Sequence, residues 1–152
     1  MAVLVSDTGF RMDDWAWGYV PLAALADQPC RQEPAGVDLS SPALSRHDWD
    51  RLCRLLPQLS LVRVRLRHFG DTAALDLARE IRARGYVGRL RAHGAVLARL
   101  YTLLRRSGFD EVELDRDQAR MQPAEHWRYE RGWQPPASWK PAPGPGGVAP
   151  RG

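Results

Sequence analysis

Lysine is almost missing from this chain of 152 residues: all but one of its 22 basic side chains are Arg, set against 18 Asp and Glu. The formal charge of +4 is mild, and the basic character comes as planar guanidinium, suited to bidentate recognition of carboxylates and other anions. The same bias is common in chains from high-GC genomes. Cysteine is scarce as well. Cys30 and Cys53 form no CxxC pair, which excludes a disulfide framework and a structural zinc site and leaves two free thiols. No window approaches 18 uninterrupted apolar residues, so nothing reads as a membrane span. The opening stretch, MAVLVSDTGFRMDDW, has neither the basic leader nor the apolar run of a signal peptide, which points to the cytoplasm. GxGxxG, GxxxxGK and GxSxG are all absent, setting aside dinucleotide, nucleoside-triphosphate and hydrolase-elbow chemistry. No RNP, zinc-finger or helix-turn-helix signature occurs, and aromatic residues do not interleave with the arginines, which disfavours nucleic acid as a partner.

What is present organises itself around Leu59 to Asp115. Val62, Val64 and Leu66 alternate with Arg63, Arg65 and Arg67, the period of a strand with one apolar face. Ala74, Leu77, Ala78 and Ile81 form a helical stripe that ends at Gly85. Val87 to Ala92 reads as the next strand, with Arg89 and Arg91 on the polar parity. From Gly94 a helix carries Val96, Leu97, Leu100 and Leu104 up to Gly108. Glu111 to Asp115 closes the segment with Val112 and Leu114 on one side and carboxylates on the other. Tyr86 and Phe109 each follow a capping glycine and fold back over a helix end.

Upstream, Val3 to Val5 and Val37 to Leu39 read as short strands, Asp7 to Gly9 as a turn and Pro21 to Asp27 as one or two helical turns. Asp13 and Asp14 beside Trp15 and Trp17 read as a solvated turn next to an aromatic plug. Ser45 caps a helix bearing Trp49, Leu52, Cys53 and Leu56, which Pro57 closes. Downstream, Gln118 to Trp127 reads as a terminal helix. The expected fold is α/β: a small, mainly parallel sheet with βα repeats, helices mostly on one face, and a half-barrel-like shape. Residues 1–133 form one domain with its core repeat at 59–115. The Pro- and Gly-rich stretch 134–152 is a flexible tail, its first part tacked down by Trp133 and Trp139.

In a parallel sheet the carboxyl ends of the strands are the usual binding ground. Those ends carry Ser40 and Ser41, then Arg67, His68 and Asp71, then His93, then Asp115 and Asp117. His68, His93 and Asp115 are the catalytic candidates, because two histidines at successive strand ends can share a proton-transfer role. Arg67, His68, Thr72 and Arg91 are the candidates for holding an anion. A metal site would need three loops to converge, and none is assigned. No cofactor is implied. The polar parity of the sheet is the other candidate surface: Asp38, then Arg63, Arg65 and Arg67, then Arg89 and Arg91, then Glu111, Glu113 and Asp115, an acidic, basic, basic, acidic order. Cross-strand pairs of Arg89 or Arg91 with Glu111 or Glu113 neutralise part of the charge and leave a basic partner-binding stripe, Arg63, Arg65, Arg89 and Arg91, at its centre.

Three stretches carry a resemblance: Phe69-Gly70-Asp71 with Ala78 and Arg79; Gly85-Tyr86-x-Gly88-x-Leu90-Arg91-Ala92-x-Gly94-x-Val96-Leu97; and Arg105-Arg106-x-Gly108-Phe109-Asp110. Together they resemble the bacterial family known as domain of unknown function 934, over about Leu59 to Leu114, with a fainter echo in Gly9-Phe10 and Asp13-Asp14-Trp15. The chain departs from the family pattern at Asp71-Thr72-Ala73-Ala74, at Ala95 and at Ala98-Arg99-Leu100, where small apolar groups replace polar ones. It thus resembles a divergent member. Members are described as oxidoreductases or accessory proteins of assimilatory sulfite reduction, so the resemblance implies a role in cysteine biosynthesis beside a redox enzyme such as sulfite reductase. The expected function is an accessory module docking through Arg63, Arg65, Arg89 and Arg91. The alternative is a small enzyme of sulfur or anion metabolism with its site around His68 and His93. Self-association is open.

Overall fold

The computed structural model describes residues 2–25 and 33–128. Cys30, Tyr129, Trp133, Trp139 and the proline-rich stretch 134–152 lie outside the described residues. Within them, six strands form one mixed sheet: β1 (Val3–Ser6), β2 (Gly9–Met12), β3 (Ala35–Leu39), β4 (Leu59–Leu66), β5 (Arg89–Gly94) and β6 (Glu111–Leu114). Their spatial order is β2-β1-β6-β5-β4-β3, linear, with β2 and β3 at the two edges. β3 to β6 are parallel and in chain order, as short βα repeats require. The helices of these crossovers are α2 (Arg46–Leu55), α3 (Thr72–Ala83) and α4 (Tyr101–Ser107). A single turn, α1 (Leu22–Leu25), precedes β3, and α5 (Arg116–Met121) and α6 (Ala124–Arg128) follow β6.

The strand parity expected from sequence is realised. Leu39, Val64, Ala92 and Val112 stand in register across β3 to β6, and Val5 of β1 continues the row. They belong to one apolar core with Leu52 of α2, Ala74, Leu77, Ala78 and Ile81 of α3, and Tyr101 and Leu104 of α4. Ser45 caps α2 by accepting the Asp48 N–H at 3.1 Å. Gly85 and Gly108 follow α3 and α4 at φ +90° and +119°, and the aromatic after each, Tyr86 or Phe109, is buried.

Four boundaries differ from expectation, each for a physical reason. The turn Asp7–Gly9 returns the chain as β2, a strand not expected from sequence, because Gly9 to Met12 is only four residues long and its alternation rests on Phe10 and Met12 alone. β5 begins at Arg89 rather than Val87. The Tyr86 ring lies over Gly88, where an added Cβ would meet its hydroxyl oxygen at 2.2 Å. Arg82 Nη1 also donates to both Tyr86 O and Gly88 O, holding that loop out of the sheet.

The helix expected from Gly94 starts only at Ala98, as a 3-10 turn running into α4. Gly94, at φ +92°, turns the chain so close to β4 that a Cβ there would lie 2.5 Å from Leu66 O, and Ala95 N donates to that carbonyl at 3.0 Å. The terminal helix is split between α5 and α6 at Gln122-Pro123, since proline lacks the N–H and restricts the residue before it. None of the helices in the described residues is long and apolar enough to cross a membrane.

Candidate functional site

The polar parity of the sheet is the most densely charged part of the molecule. Strand register sets Asp38, Arg63, Arg91 and Glu111 side by side across β3, β4, β5 and β6. Arg91 has no exposed surface, and Arg89 and Glu111 are buried with it. Charges can be held there only if each finds partners, since an unpaired buried charge is costly. Arg89 forms a double bond pair with Glu111, at 3.0 and 2.9 Å, and a second with Asp14, at 3.2 and 2.8 Å. Arg91 Nε donates to Glu111 at 2.8 Å, and its Nη1 donates to Glu113 at 2.8 Å, Asp13 at 3.2 Å and the Tyr19 hydroxyl at 3.3 Å. Arg63 bridges Asp38 and Glu113, each at 2.9 Å, and its guanidinium stacks 4.0 Å from the centre of the Tyr19 ring.

This arrangement corrects two expectations. Asp13 and Asp14 stay partly in solvent but are not an unengaged turn: the segment from Asp13 to Tyr19 lies against the polar parity and supplies two carboxylates and a phenol to the arginines beneath. Nor is the arginine stripe open, because Arg89 and Arg91 are inside and Arg63 keeps only 19% of its side chain exposed. The segment is itself pinned. Trp15 N donates to Asp13 Oδ1 at 2.9 Å, Trp15 Nε1 donates to Gly18 O at 2.6 Å, and the indole fills the space over Gly36. Two adjacent acids in a chain with an arginine-bearing sheet are the signal that sequence offers for this contact.

The electrostatics follow from the pairing. Burial works to raise the Asp38 carboxyl, but the nearby His93 and Arg63 outweigh it and hold it well below the usual range. Asp14 is lowered in the same way, with Arg89 overcoming its burial. Burial pushes the Tyr19 phenol up to about 12, so it stays a neutral donor or acceptor. Burial also raises the Cys53 thiol, which suits a packed side chain on α2 better than a nucleophile. Arg91 Nη2 is buried without a hydrogen-bond partner in the described structure, and so is His93 Nε2, which sits 3.5 Å from Asp38 Oδ1 without a formed bond.

At the carboxyl ends of the strands, the candidates separate into distinct groups. Asp71, 1% exposed, accepts from the Arg67 backbone N–H at 3.0 Å and from its guanidinium at 2.9 and 3.1 Å. That carboxylate occupies the place where an external anion was expected beside Arg67, His68 and Thr72, and the Arg67 bonds hold its pKa well below normal. Arg91 lies in the other network, so the four anion candidates do not form one site. His68 is exposed, its Nε2 4.0 Å from Asp71 Oδ1. His93 faces Asp38 on the polar parity. Asp115 caps α5 in a reciprocal box with Gln118, and Gln118 Nε2 donates to Gly94 O at 2.6 Å. His68, His93 and Asp115 therefore serve three different local structures. Among the described residues no group of three or more His, Cys, Asp or Glu is placed to hold a metal ion.

A family model described as "Bacterial protein of unknown function (DUF934)" matches residues 43–142, about two thirds of the chain. The chain belongs to this family. No curated protein and no solved structure matches the chain. The DUF934 match contains Arg63, Arg89, Arg91, Glu111 and Glu113, the part of the charged network carried by β4 to β6. Asp13, Asp14, Tyr19 and Asp38, which complete it, precede the matched residues.

Proposed function

We propose that this DUF934 protein is a partner-binding accessory protein that works beside a redox enzyme of sulfur assimilation, with sulfite reductase the first candidate, and that it docks through basic surface. The observation that carries the reading is how its polar groups are committed. The carboxylates and arginines of the polar parity bind one another, Asp71 is taken by Arg67, and Asp115 is spent on a helix cap. Arg65 is different: it is exposed and forms no ion pair within the described residues. The docking stripe read from sequence thus narrows to Arg65 and the outer edges of Arg63 and Arg67, with Arg89 and Arg91 serving the fold. The link to sulfite reduction comes from the resemblance to the family.

The test is association of the full chain with recombinant sulfite reductase, followed by sedimentation velocity at low and high salt. A complex with Kd below about 100 μM that weakens as salt rises is expected, because exposed charges are screened beyond a Debye length. Absence of a complex, together with conversion of sulfite or a related anion by the chain alone, would instead support the enzyme reading around His68 and His93.

A further inference from the structure

We infer that the turn from Arg67 to Asp71 is a preformed docking knob, with Phe69 entering an apolar pocket on an acidic protein partner and Arg65, Arg67 and His68 meeting the acidic rim of that pocket. This rests on the partner-binding reading above and names its surface and the chemistry of the occupant. Phe69 is 62% exposed, whereas Phe109 is fully buried. An exposed ring on a rigid support is the kind of residue that dominates binding energy at interfaces, because its apolar area is large and few torsions have to be fixed.

The support is rigid. Asp71 N donates to His68 O at 3.2 Å, closing the turn, and Gly70 takes the left-handed conformation, φ +69°, that lets the chain reverse. The buried Asp71 carboxylate then clamps the Arg67 backbone and guanidinium together. Ordering losses on binding are small when a loop is already held in its bound shape.

Charge sets the partner's chemistry. Within residues 65–70 the exposed polar side chains are Arg65, Arg67 with 42% of its side chain in solvent, and His68 with 67%. The loop's own carboxylate, Asp71, is 1% exposed. The accessible charge of this stretch is therefore that of its arginines, and it complements an acidic surface. A nucleic acid would share the charge but asks for successive stacking rings, and this turn carries one.

The probe is a synthetic peptide, acetyl-EEDLFEDE-amide, titrated into the isotope-labelled full chain at about 50 mM salt, with recombinant sulfite reductase in a parallel arm. Amide shifts confined to residues 65–71 are expected. Phe69→Ala and Arg65→Glu should each weaken peptide and reductase binding at least tenfold while leaving the urea midpoint unchanged. No shifts, shifts elsewhere, or tighter binding of a single-stranded oligonucleotide at the same residues would overturn the inference. Reductase binding that both variants leave intact would overturn the knob and leave the accessory reading standing. Peptide binding at the knob without reductase binding would retain the knob and refute sulfite reductase as the partner.

Discussion

Single side chains in this protein are set by their partners more than by their type. Arg89 and Arg91 on β5 are buried, while Arg65 on the same parity of the neighbouring strand is exposed. Composition and alternation cannot separate them, because the difference is whether carboxylates from Asp13, Asp14, Glu111 and Glu113 arrive. The lowered carboxyls of Asp14, Asp38 and Asp71 have a consequence for pH. In the unfolded chain they ionise near pH 4; in the fold they stay ionised lower. Their contribution is thus complete above the unfolded value and is lost as pH falls through the folded one. Asp110, raised by burial, works in the opposite direction, its contribution fading as pH rises. The three lowered groups are expected to dominate, so urea midpoints should fall steeply below about pH 4. Asp71→Ala, which leaves the Arg67 N–H without its acceptor, should remove about 1–3 kcal/mol at neutral pH and flatten part of that acid dependence. An unchanged profile would show that the Asp71 clamp is open in solution.

At the scale of elements, what is legible in sequence is what local chemistry decides. The alternation in β4 and β6, the Ser45 cap and the glycines after α3 and α4 all follow from residues within one turn or one strand. What escapes depends on contacts between distant segments. The start of α4 is delayed because Gly94 crosses against Leu66 and because Gln122, 24 residues on, accepts the Ala98 N–H at 2.7 Å. Nothing near Gly94 in sequence announces either contact. Gly94→Ala should therefore destabilise by at least about 1 kcal/mol, through both the positive φ and the close carbonyl, read as a lower urea midpoint. Gln118→Ala removes half of the α5 capping box and the bond to Gly94 O. It should cost about 0.5–2 kcal/mol, with hydrogen exchange rising first at residues 116–121. Equal exchange in variant and wild type would mean that α5 holds without its cap.

Across the whole molecule, the sheet carries two interiors of different chemistry. The apolar parity packs against α2, α3 and α4, and the polar parity is a network of ion pairs against which the segment from Asp13 to Tyr19 lies. Sequence pattern reveals the first and suggests that the second is free for a partner, since a charged strand face ordinarily meets water. Two of the acids that neutralise it, Asp13 and Asp14, sit more than 70 residues from Arg89 and Arg91 in the chain, beyond the reach of any local pattern. The arginines of the sheet therefore divide in what they do, the buried ones holding the fold and the exposed one at the rim remaining for binding. Urea unfolding of Arg91→Met beside Arg65→Glu tests this division most directly. Arg91→Met takes one arginine away from Glu111 and Glu113, which keep Arg89 and Arg63, and leaves the buried network with an excess of carboxylates. It should lose about 3–5 kcal/mol, whereas Arg65→Glu should stay within about 0.5 kcal/mol of wild type. Matching small losses in both would contradict the division and return Arg91 to an open, partner-facing surface.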